Sequence, residues 1–216
     1  VSSMSRYSKL REAIVKGREN RVIDLTERAL KEGGNTQGIM EKGFLEGLDT
    51  VDKKITRGQM FIPELLLASK AAKKGIDVLK PHMSKDRKTD KKTVVVGTVR
   101  GDFHSASKTI VTLMCECSGL NIIDIGVDVS CEQFFKEAEQ HDADLICLLA
   151  FQSNISPVTT AEIKKMETLG KQQDAEKKAK VLIASQAISK QFSKEIGADA
   201  YANNAVSAFK KARGLI

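Results

Sequence analysis

The sequence predicts an α/β protein in which a helical region precedes a parallel β-sheet with helices between its strands. Up to residue 79, apolar residues recur every three to four positions, a spacing typical of amphipathic helices. From residue 93 onward, short β-branched and apolar runs alternate with helical stretches, which is typical of strands buried on both faces of a parallel sheet. The segment 84–92 has no apolar residue and predicts an exposed linker between the two regions.

Four amphipathic helices are expected in the first region, and short connections between them favour a small antiparallel four-helix bundle. Gly33 and Gly34 are expected to end the second helix, because glycine tolerates the left-handed conformation of a C-terminal cap. Asn35 or Thr36 can cap the third helix, and Pro63 stands where a first helical turn accepts proline. The apolar positions that define the four helices are Leu10, Ile14 and Val15; Val22, Leu25, Ala29 and Leu30; Ile39, Met40, Phe44, Leu48, Val51 and Ile55; and Leu65, Leu66, Ala68, Ala72, Ile76 and Leu79.

Five strands are expected in the second region, which has the size of a doubly wound parallel five-stranded domain. In such a sheet, ligands bind at the carboxyl ends of the strands, where the strand order switches. We place the domain boundary between residues 88 and 89, with a helical bundle at 1–88 and the sheet domain at 89–216. The predicted strands are 93–99, 121–126, 144–150, 180–184 and 199–202, and the predicted helices are 105–118, 130–140, 157–170, 188–196 and 203–213.

The composition excludes several classes of protein. A hydrophobic share of 41% and a charged share of 29% are ordinary for a packed core, so a disordered chain is excluded. No apolar run approaches the ~20 residues that span a bilayer, and residues 1–16 lack the apolar stretch of a secretory signal. Four cysteines in 216 residues do not suggest a disulfide framework. We therefore expect a cytoplasmic protein without a membrane partner.

The net charge of +7 is unevenly placed along the chain. Residues 1–92 hold 21 Lys or Arg and 13 Asp or Glu, whereas residues 93–216 hold 14 and 15. Such an excess suggests either a nucleic-acid partner or a solvated, lysine-rich helical surface. Acidic residues are interspersed throughout, which favours the solvated surface. The aromatic share of 5% and the lack of a helix-turn-helix segment disfavour nucleic acid.

The loop after the first predicted strand contains a candidate site. Asp102 and His104 are two residues apart, and a carboxylate that accepts a hydrogen bond from one imidazole nitrogen makes the other a better metal ligand or base. On spacing alone, a surface histidine beside a helix-capping aspartate is an equally good interpretation. The first strand is not followed by Gly-x-Gly-x-x-Gly, which disfavours a dinucleotide-binding domain. The third strand ends in Leu-Ala-Phe at 149–151, without the phosphorylatable aspartate of a receiver domain.

The cysteines predict structural roles. Cys115 and Cys117 are two apart on a predicted helix and therefore point to different faces. Together with Cys131 and Cys147 they lack the spacing of zinc ligands. We interpret all four as core or surface thiols.

Four segments resemble the corrinoid proteins of methyltransferase systems. Residues 101–111, Gly-Asp-Phe-His-Ser-Ala-Ser-Lys-Thr-Ile-Val, resemble the family's Gly-Asp-x-His-Asp-Ile-Gly-Lys-Asn-x-Val segment. Residues 119–129 and 195–202 resemble later parts of the same cobalamin-binding domain. Residues 57–65 resemble the Lys-Gly-Glu-x-Phe-Leu-Pro-Glu-Leu segment of the family's helical cap. The resemblance covers nearly the whole chain, with both domains in order.

The resemblance implies a helical cap and a flavodoxin-like, Rossmann-like domain that bind cobalamin or a related corrinoid. In the family, the cap covers the upper face of the cofactor, and the motif histidine replaces the cofactor's own benzimidazole as lower ligand to cobalt. His104 is thus the implied metal ligand and Asp102 its hydrogen-bond partner, and no catalytic residue is implied. The implied cofactor-binding positions are Asp102, His104, Ser105, Ser107, Leu149, Ser153, Ala184 and Ser185.

Several positions along the path of the cofactor's nucleotide tail depart from the family's pattern. Ser107 replaces a glycine of the motif, and Ser105 replaces an aspartate. Leu149 replaces a serine or threonine at the end of the third strand and cannot hydrogen-bond the tail. Ala184 and Ser185 replace a Gly-Gly pair, and side chains there would narrow the tail channel.

The function implied by the resemblance is that of a methyl carrier, a subunit of a methyltransferase system rather than a catalyst by itself. It accepts a methyl group on Co(I) from a substrate-specific corrinoid methyltransferase and passes it to a second methyltransferase. A corrinoid reductive activator is a further candidate partner. The departures leave an alternative, a paralogue with weak or no cofactor binding that acts as a protein-interaction or sensor module. The Asp102/His104 pair favours corrinoid binding, because it has little structural purpose without a metal.

Overall fold

A computed structural model describes residues 3–82, 92–103, 105–151, 155–173 and 178–216 of the chain. The chain divides into two compact units, Val1–Asp90 and Lys91–Ile216. The predicted linker falls almost entirely on residues 83–91, outside the described part. The placement of the boundary between residues 88 and 89 therefore stays a prediction.

The first unit is helical, as predicted. What the sequence predicts as a third helix is a continuous helical run in which the middle turn, Met40–Leu45, is a π-helix. A 3₁₀ turn at Lys80–His82 follows the last helix. The α-helices are α1 (Ser3–Val15), α2 (Glu19–Lys31), α3 (Thr36–Ile39), α4 (Glu46–Thr56) and α5 (Ile62–Leu79).

Local signals in the sequence account for the helix ends. Gly33 has a φ of +75°, the left-handed conformation expected just after α2. The Asn35 side chain caps α3 by accepting a hydrogen bond from the Gly38 backbone nitrogen at 3.1 Å. At α5, Glu64 reaches back to accept from the Phe61 backbone nitrogen at 2.9 Å, with Pro63 in the first turn.

The helices of the first unit enclose an apolar core in which α2 packs against α5 and α1 packs against α2 and α4. Gly75 of α5 faces the Phe44 ring and the Val22 side chain so closely that a side chain there would overlap both. The largest fully buried side chains of this unit are Leu10, Ile14, Ile39, Phe44, Leu48, Leu65, Ile76 and Leu79.

The second unit contains a parallel sheet, as predicted, with the strand order β2-β1-β3-β4-β5 among the described residues. The strand order reverses between β1 and β3, and this switch point is where such folds bind ligands. The strands are β1 (Thr93–Thr98), β2 (Asn121–Asp124), β3 (Leu145–Ala150), β4 (Lys180–Ser185) and β5 (Ala200–Ala202). The helices are α6 (Ser105–Cys117), α7 (Cys131–Gln140), α8 (Pro157–Gln172), α9 (Lys190–Glu195) and α10 (Ala205–Leu215).

Helices cover both faces of the sheet, which explains why its central strands are almost continuously apolar. On one face, α7, α8 and α9 pack over alternate strand residues such as Val95, Ile146 and Ile183. On the other face lie α6 and α10, which also contact each other. Every residue of β3 is buried.

No helix among the described residues is suited to crossing a membrane. None of them combines the length and the hydrophobicity that crossing a bilayer requires.

Candidate functional site

Asp102 is the centre of the candidate site and lies in the loop after β1, beside the switch point. It is completely buried. Its Oδ2 atom accepts a hydrogen bond from the Phe151 backbone nitrogen at 2.7 Å, which joins the loop after β1 to the end of β3. Its backbone nitrogen donates to the Val99 carbonyl at 2.9 Å, and its own carbonyl accepts from the Thr98 hydroxyl at 2.5 Å. The carboxylate is therefore held at a fixed position in the carboxyl edge of the sheet.

Asp128, from the loop after β2, holds the same loop from the other side. Its Oδ1 atom accepts from the Gly101 backbone nitrogen at 2.7 Å. Its backbone nitrogen lies 3.2 Å from the Thr98 hydroxyl and 3.3 Å from the Asp102 carbonyl. Asp128 has a φ of +58°, which is uncommon outside glycine but is tolerated by aspartate. Asp128 was not predicted as a site residue, although it lies within the matching segment 119–129.

Position 101 requires glycine, because its backbone is left-handed and a neighbouring helix leaves no space for a side chain. Its φ is +86°, and a side chain at this position would overlap the Thr159 hydroxyl and crowd Ser156. Ser156 caps α8 by accepting from the Thr159 backbone nitrogen at 3.1 Å. The loop that carries Asp102 thus lies directly against the start of α8.

A buried lysine supports the neighbouring loop. Lys108 of α6 is 8% exposed, and its Nζ donates to Asp124 Oδ1, at the end of β2, at 2.6 Å. The same oxygen accepts from the Gly126 backbone nitrogen at 2.9 Å. This ion pair fixes the start of α6 to the loop that supplies Asp128. Lys108 was predicted only as part of a matching segment, because a lysine on a helix usually faces solvent.

A second buried carboxylate, that of Glu162 in α8, contacts both the start of α7 and the loop after β1. Its Oε1 atom accepts from the Cys131 backbone nitrogen at 2.7 Å, at the start of α7. Its Oε2 atom lies 3.7 Å from an Arg100 nitrogen and 3.2 Å from Lys165 Nζ. Lys165 also donates to Glu132 at 2.9 Å, and this hydrogen bond lowers the pKa of Glu132 to about 2. The network connects the loop after β1 with α7 and α8.

Exposed apolar side chains accompany these polar groups. Phe103 follows Asp102 and is 65% exposed, Val127 precedes Asp128, and Val158 lies in the first turn of α8. All three occur in segments that follow strands β1, β2 and β3 and so belong to the carboxyl edge of the sheet. Such side chains suit a large planar ligand with an apolar face.

The structure brings only part of the predicted site together. His104 and Ser153 lie outside the described residues. Ser105 and Ser107 occupy the first turn of α6, where Ser105 is exposed and Ser107 is half-buried.

The predicted residues on the sheet are at its carboxyl edge. Leu149 and Ala184 are register partners at the ends of β3 and β4, and both are completely buried. Ser185 ends β4 and is also buried.

The interpretation of the cysteines as structural thiols is confirmed. Cys115, Cys117, Cys131 and Cys147 are buried, and they form no disulfide bond with one another. Burial raises the pKa of Cys115 to about 12, and it also raises the pKa values of Cys131 and Cys147. Among the described residues, no group of three or more histidine, cysteine or acidic side chains could hold a metal ion.

The thiols are therefore expected to resist alkylation in the folded protein. A thiol with a pKa of about 12 is about 1 part in 10,000 thiolate at pH 8, and the thiolate is the reactive form. We expect iodoacetamide at pH 8 to leave all four cysteines unmodified over minutes, and to modify all four in concentrated urea, as counted by mass spectrometry. Rapid modification of Cys115 in the folded protein would contradict its assignment to the core.

The fold and the site define a doubly wound ligand-binding domain that follows a helical unit on the same chain. The family described as "B12 binding domain" matches residues 7–80, and a second family of the same description matches residues 92–210. Dimethylamine corrinoid protein 2 of Methanosarcina acetivorans is 33% identical over 96% of this chain and 94% of its own length.

Solved structures agree with these matches. The Methanosarcina barkeri monomethylamine corrinoid protein aligns over the whole of both chains with a TM-score of 0.63 and 28% identity. The methanol:cobalamin methyltransferase complex of the same organism contains a chain with the same fold, with a TM-score of 0.64 and 21% identity over 99% of this chain and 80% of that one. The chain belongs to the B12-binding corrinoid proteins, and its cofactor is cobalamin or a related corrinoid.

The described residues fit the ring and the metal of such a cofactor. The buried Asp102 carboxylate can orient an imidazole ligand, and Phe103, Val127 and Val158 offer apolar surface at the same edge. The buried end of β3 at Leu149 offers only alkyl groups, so the fit does not extend to a hydrogen bond with the cofactor's lower base.

Proposed function

We propose that this chain is a methyl carrier that receives a methyl group from a substrate-specific corrinoid methyltransferase and delivers it to a second methyltransferase. When bound, the corrinoid supplies the cobalt atom that accepts and releases the methyl group. The observation that carries the proposal is the buried Asp102 carboxylate, which lies at the ligand-binding edge two residues before His104. The relatives named as methylamine corrinoid proteins support the same role.

Asp102 has a positioning role in this proposal. Its carboxylate would accept a hydrogen bond from one imidazole nitrogen of His104 and leave the other nitrogen available as a cobalt ligand. The hydrogen bond from the Phe151 nitrogen keeps the carboxylate from rotating away. When the imidazole is not bound to the metal, the pair can hold a proton between the carboxylate and the ring. The methyltransferases supply the chemistry at the substrate.

The first unit contributes an apolar surface at the start of α5. Phe61 is 72% exposed, and Ile62, Leu66 and Leu67 are each more than half exposed. Four large apolar side chains in solvent within seven residues indicate a surface that is covered in the working protein.

Reconstitution with hydroxocobalamin tests the proposal. We expect the purified chain to retain about one cobalt per chain, with the absorption spectrum of a corrinoid whose lower ligand is a protein histidine. The His104→Ala variant is expected to lose that spectrum. A matched control is His141→Ala, because His141 is exposed at the end of α7, away from the carboxyl edge of the sheet.

Methyl transfer is then measured on the loaded protein. After reduction, a dimethylamine-specific corrinoid methyltransferase and dimethylamine should methylate the reconstituted chain, as followed by absorption. Retention of no cobalt, or a spectrum that is the same in wild type and His104→Ala, would refute the ligand assignment. Cobalt retention without methylation by any substrate-specific methyltransferase would favour a sensor or interaction module.

A further inference from the structure

The carboxyl edge of the sheet carries a row of side chains on its α6/α10 face. Thr98, Leu149, Ala184 and Ala202 are successive register partners across β1, β3, β4 and β5, so their side chains point to the same face. The neighbouring Leu148 belongs to the core beneath α7 and α8, which places the row on the opposite face, toward α6 and α10. We call these four residues the edge row.

The edge row offers a ligand almost no hydrogen-bonding capacity. Leu149 and Ala184 are completely buried, Ala202 is 2% exposed, and all three carry alkyl side chains. The single hydroxyl of the row, on Thr98, is already engaged by the loops above it. It donates to the Asp102 carbonyl at 2.5 Å and accepts from the Asp128 backbone nitrogen at 3.2 Å.

The hydroxyl at the end of β4 is engaged in the same way. Ser185 Oγ accepts from the backbone nitrogens of Ala187 and Ile188, at 3.2 and 3.1 Å, and closes the loop after β4. The Ser185 carbonyl accepts from the Tyr201 hydroxyl at 2.8 Å. Freeing this serine for a ligand would leave loop backbone groups without partners, which costs stability.

The lower base of a corrinoid would therefore gain little binding free energy from contact with the edge row. The edge row stands beside the switch point, where a sheet of this order receives its ligand. A heterocyclic base that moves there from water loses its hydrogen bonds with water, and the alkyl groups of the edge row cannot replace them. This unfavourable free energy offsets the favourable free energy of apolar contact.

We propose that the edge row gives this chain no selectivity for the lower base of its corrinoid, so that the chain accepts complete and base-free corrinoids alike. The inference rests on the proposed function and names the class of corrinoid that the same site takes. A chain with this property differs from a carrier that selects cobalamin by recognising its lower base.

Parallel titrations of the wild-type protein with hydroxocobalamin and diaquocobinamide, which lacks the nucleotide, test the inference. We expect the two dissociation constants, measured from absorption, to agree within about threefold. A preference of more than about tenfold for hydroxocobalamin would overturn the inference. Binding of neither corrinoid would refute the proposed function instead, so the two failures are distinguishable.

Two variants of nearly equal shape test the role of the edge row directly. Leu149→Thr introduces a hydroxyl, and Leu149→Val is its apolar control, since both side chains are β-branched and suit a strand. We expect Leu149→Thr to prefer hydroxocobalamin over diaquocobinamide by roughly 5- to 30-fold more than Leu149→Val does, the effect of one added hydrogen bond.

The same preference in both variants would overturn the assignment of selectivity to the edge row. Urea unfolding shows beforehand that both variants are folded. If either is not, the comparison of the two dissociation constants in the wild-type protein decides the question.

Discussion

Replacing Asp102 with alanine is expected to weaken hydroxocobalamin binding by about 10- to 100-fold, the usual cost of losing the partner of a metal-bound histidine. The same change removes the acceptor of the Phe151 backbone nitrogen, which Asp102 Oδ2 contacts at 2.7 Å. A buried donor left without a partner costs about 1–3 kcal/mol, so we expect the free energy of unfolding to fall by that amount. Absorption titration measures the affinity, and urea unfolding of the cofactor-free chain measures the stability.

The Asp102→Asn variant separates the two effects. Its amide oxygen can still accept from the Phe151 nitrogen, so most of the stability should remain. The charge that increases the basicity of His104 is absent, so the affinity for hydroxocobalamin should still fall. Unchanged affinity in both variants would show that Asp102 stabilises the fold without positioning a metal ligand.

The second large effect is expected at Gly101, where substitution by alanine displaces the loop that carries Asp102. The residue has a φ of +86°, and a methyl group there would overlap the Thr159 hydroxyl and crowd Ser156. Left-handed backbone costs a non-glycine residue about 1–2 kcal/mol, and overpacking adds about 1–3 kcal/mol. We expect a loss of about 2–5 kcal/mol in the free energy of unfolding, together with weaker hydroxocobalamin binding.

Gly126 provides the matched control. Its φ is +95°, close to that of Gly101, but a methyl group there would meet no atom within 4 Å. Gly126→Ala should therefore show the backbone cost of about 1–2 kcal/mol without the overlap. Equal losses of stability in the two variants would mean that the contact with α8 does not hold the Asp102 loop.

Sequence patterns predicted the elements well where local signals determine them. The β-branched run at 93–98 and the apolar run at 145–150 are strands because only a buried parallel strand suits them. The left-handed residue Gly33 and the cap residue Asn35 act within a few residues of their own position. The π-helical turn at Met40–Leu45 was missed, since one extra residue in a turn hardly alters an apolar pattern of three-to-four spacing.

The site was less predictable, because its contacts join distant parts of the chain. Asp102 was found from the motif, whereas its partner Phe151 is 49 residues away and contributes only a backbone nitrogen. Glu162 accepts from a nitrogen 31 residues away, and nothing in a helix of mixed charge distinguishes a buried carboxylate from an exposed one. The alignment of Leu149 with Ala184 depends on strand register, which the order of residues alone does not specify.

The hydrogen bonds between Asp128 and the loop after β1 affect the free energy of cofactor binding, because they order the loop before the cofactor binds. The loop is held by the Gly101 and Asp128 nitrogens and by the Thr98 hydroxyl. Its conformational entropy is therefore lost when the chain folds, not when the cofactor arrives. Ordering a mobile loop normally subtracts from the free energy of association. In this chain, more of the favourable interaction with the corrin ring is retained as affinity, and the affinity becomes sensitive to any change that loosens the loop.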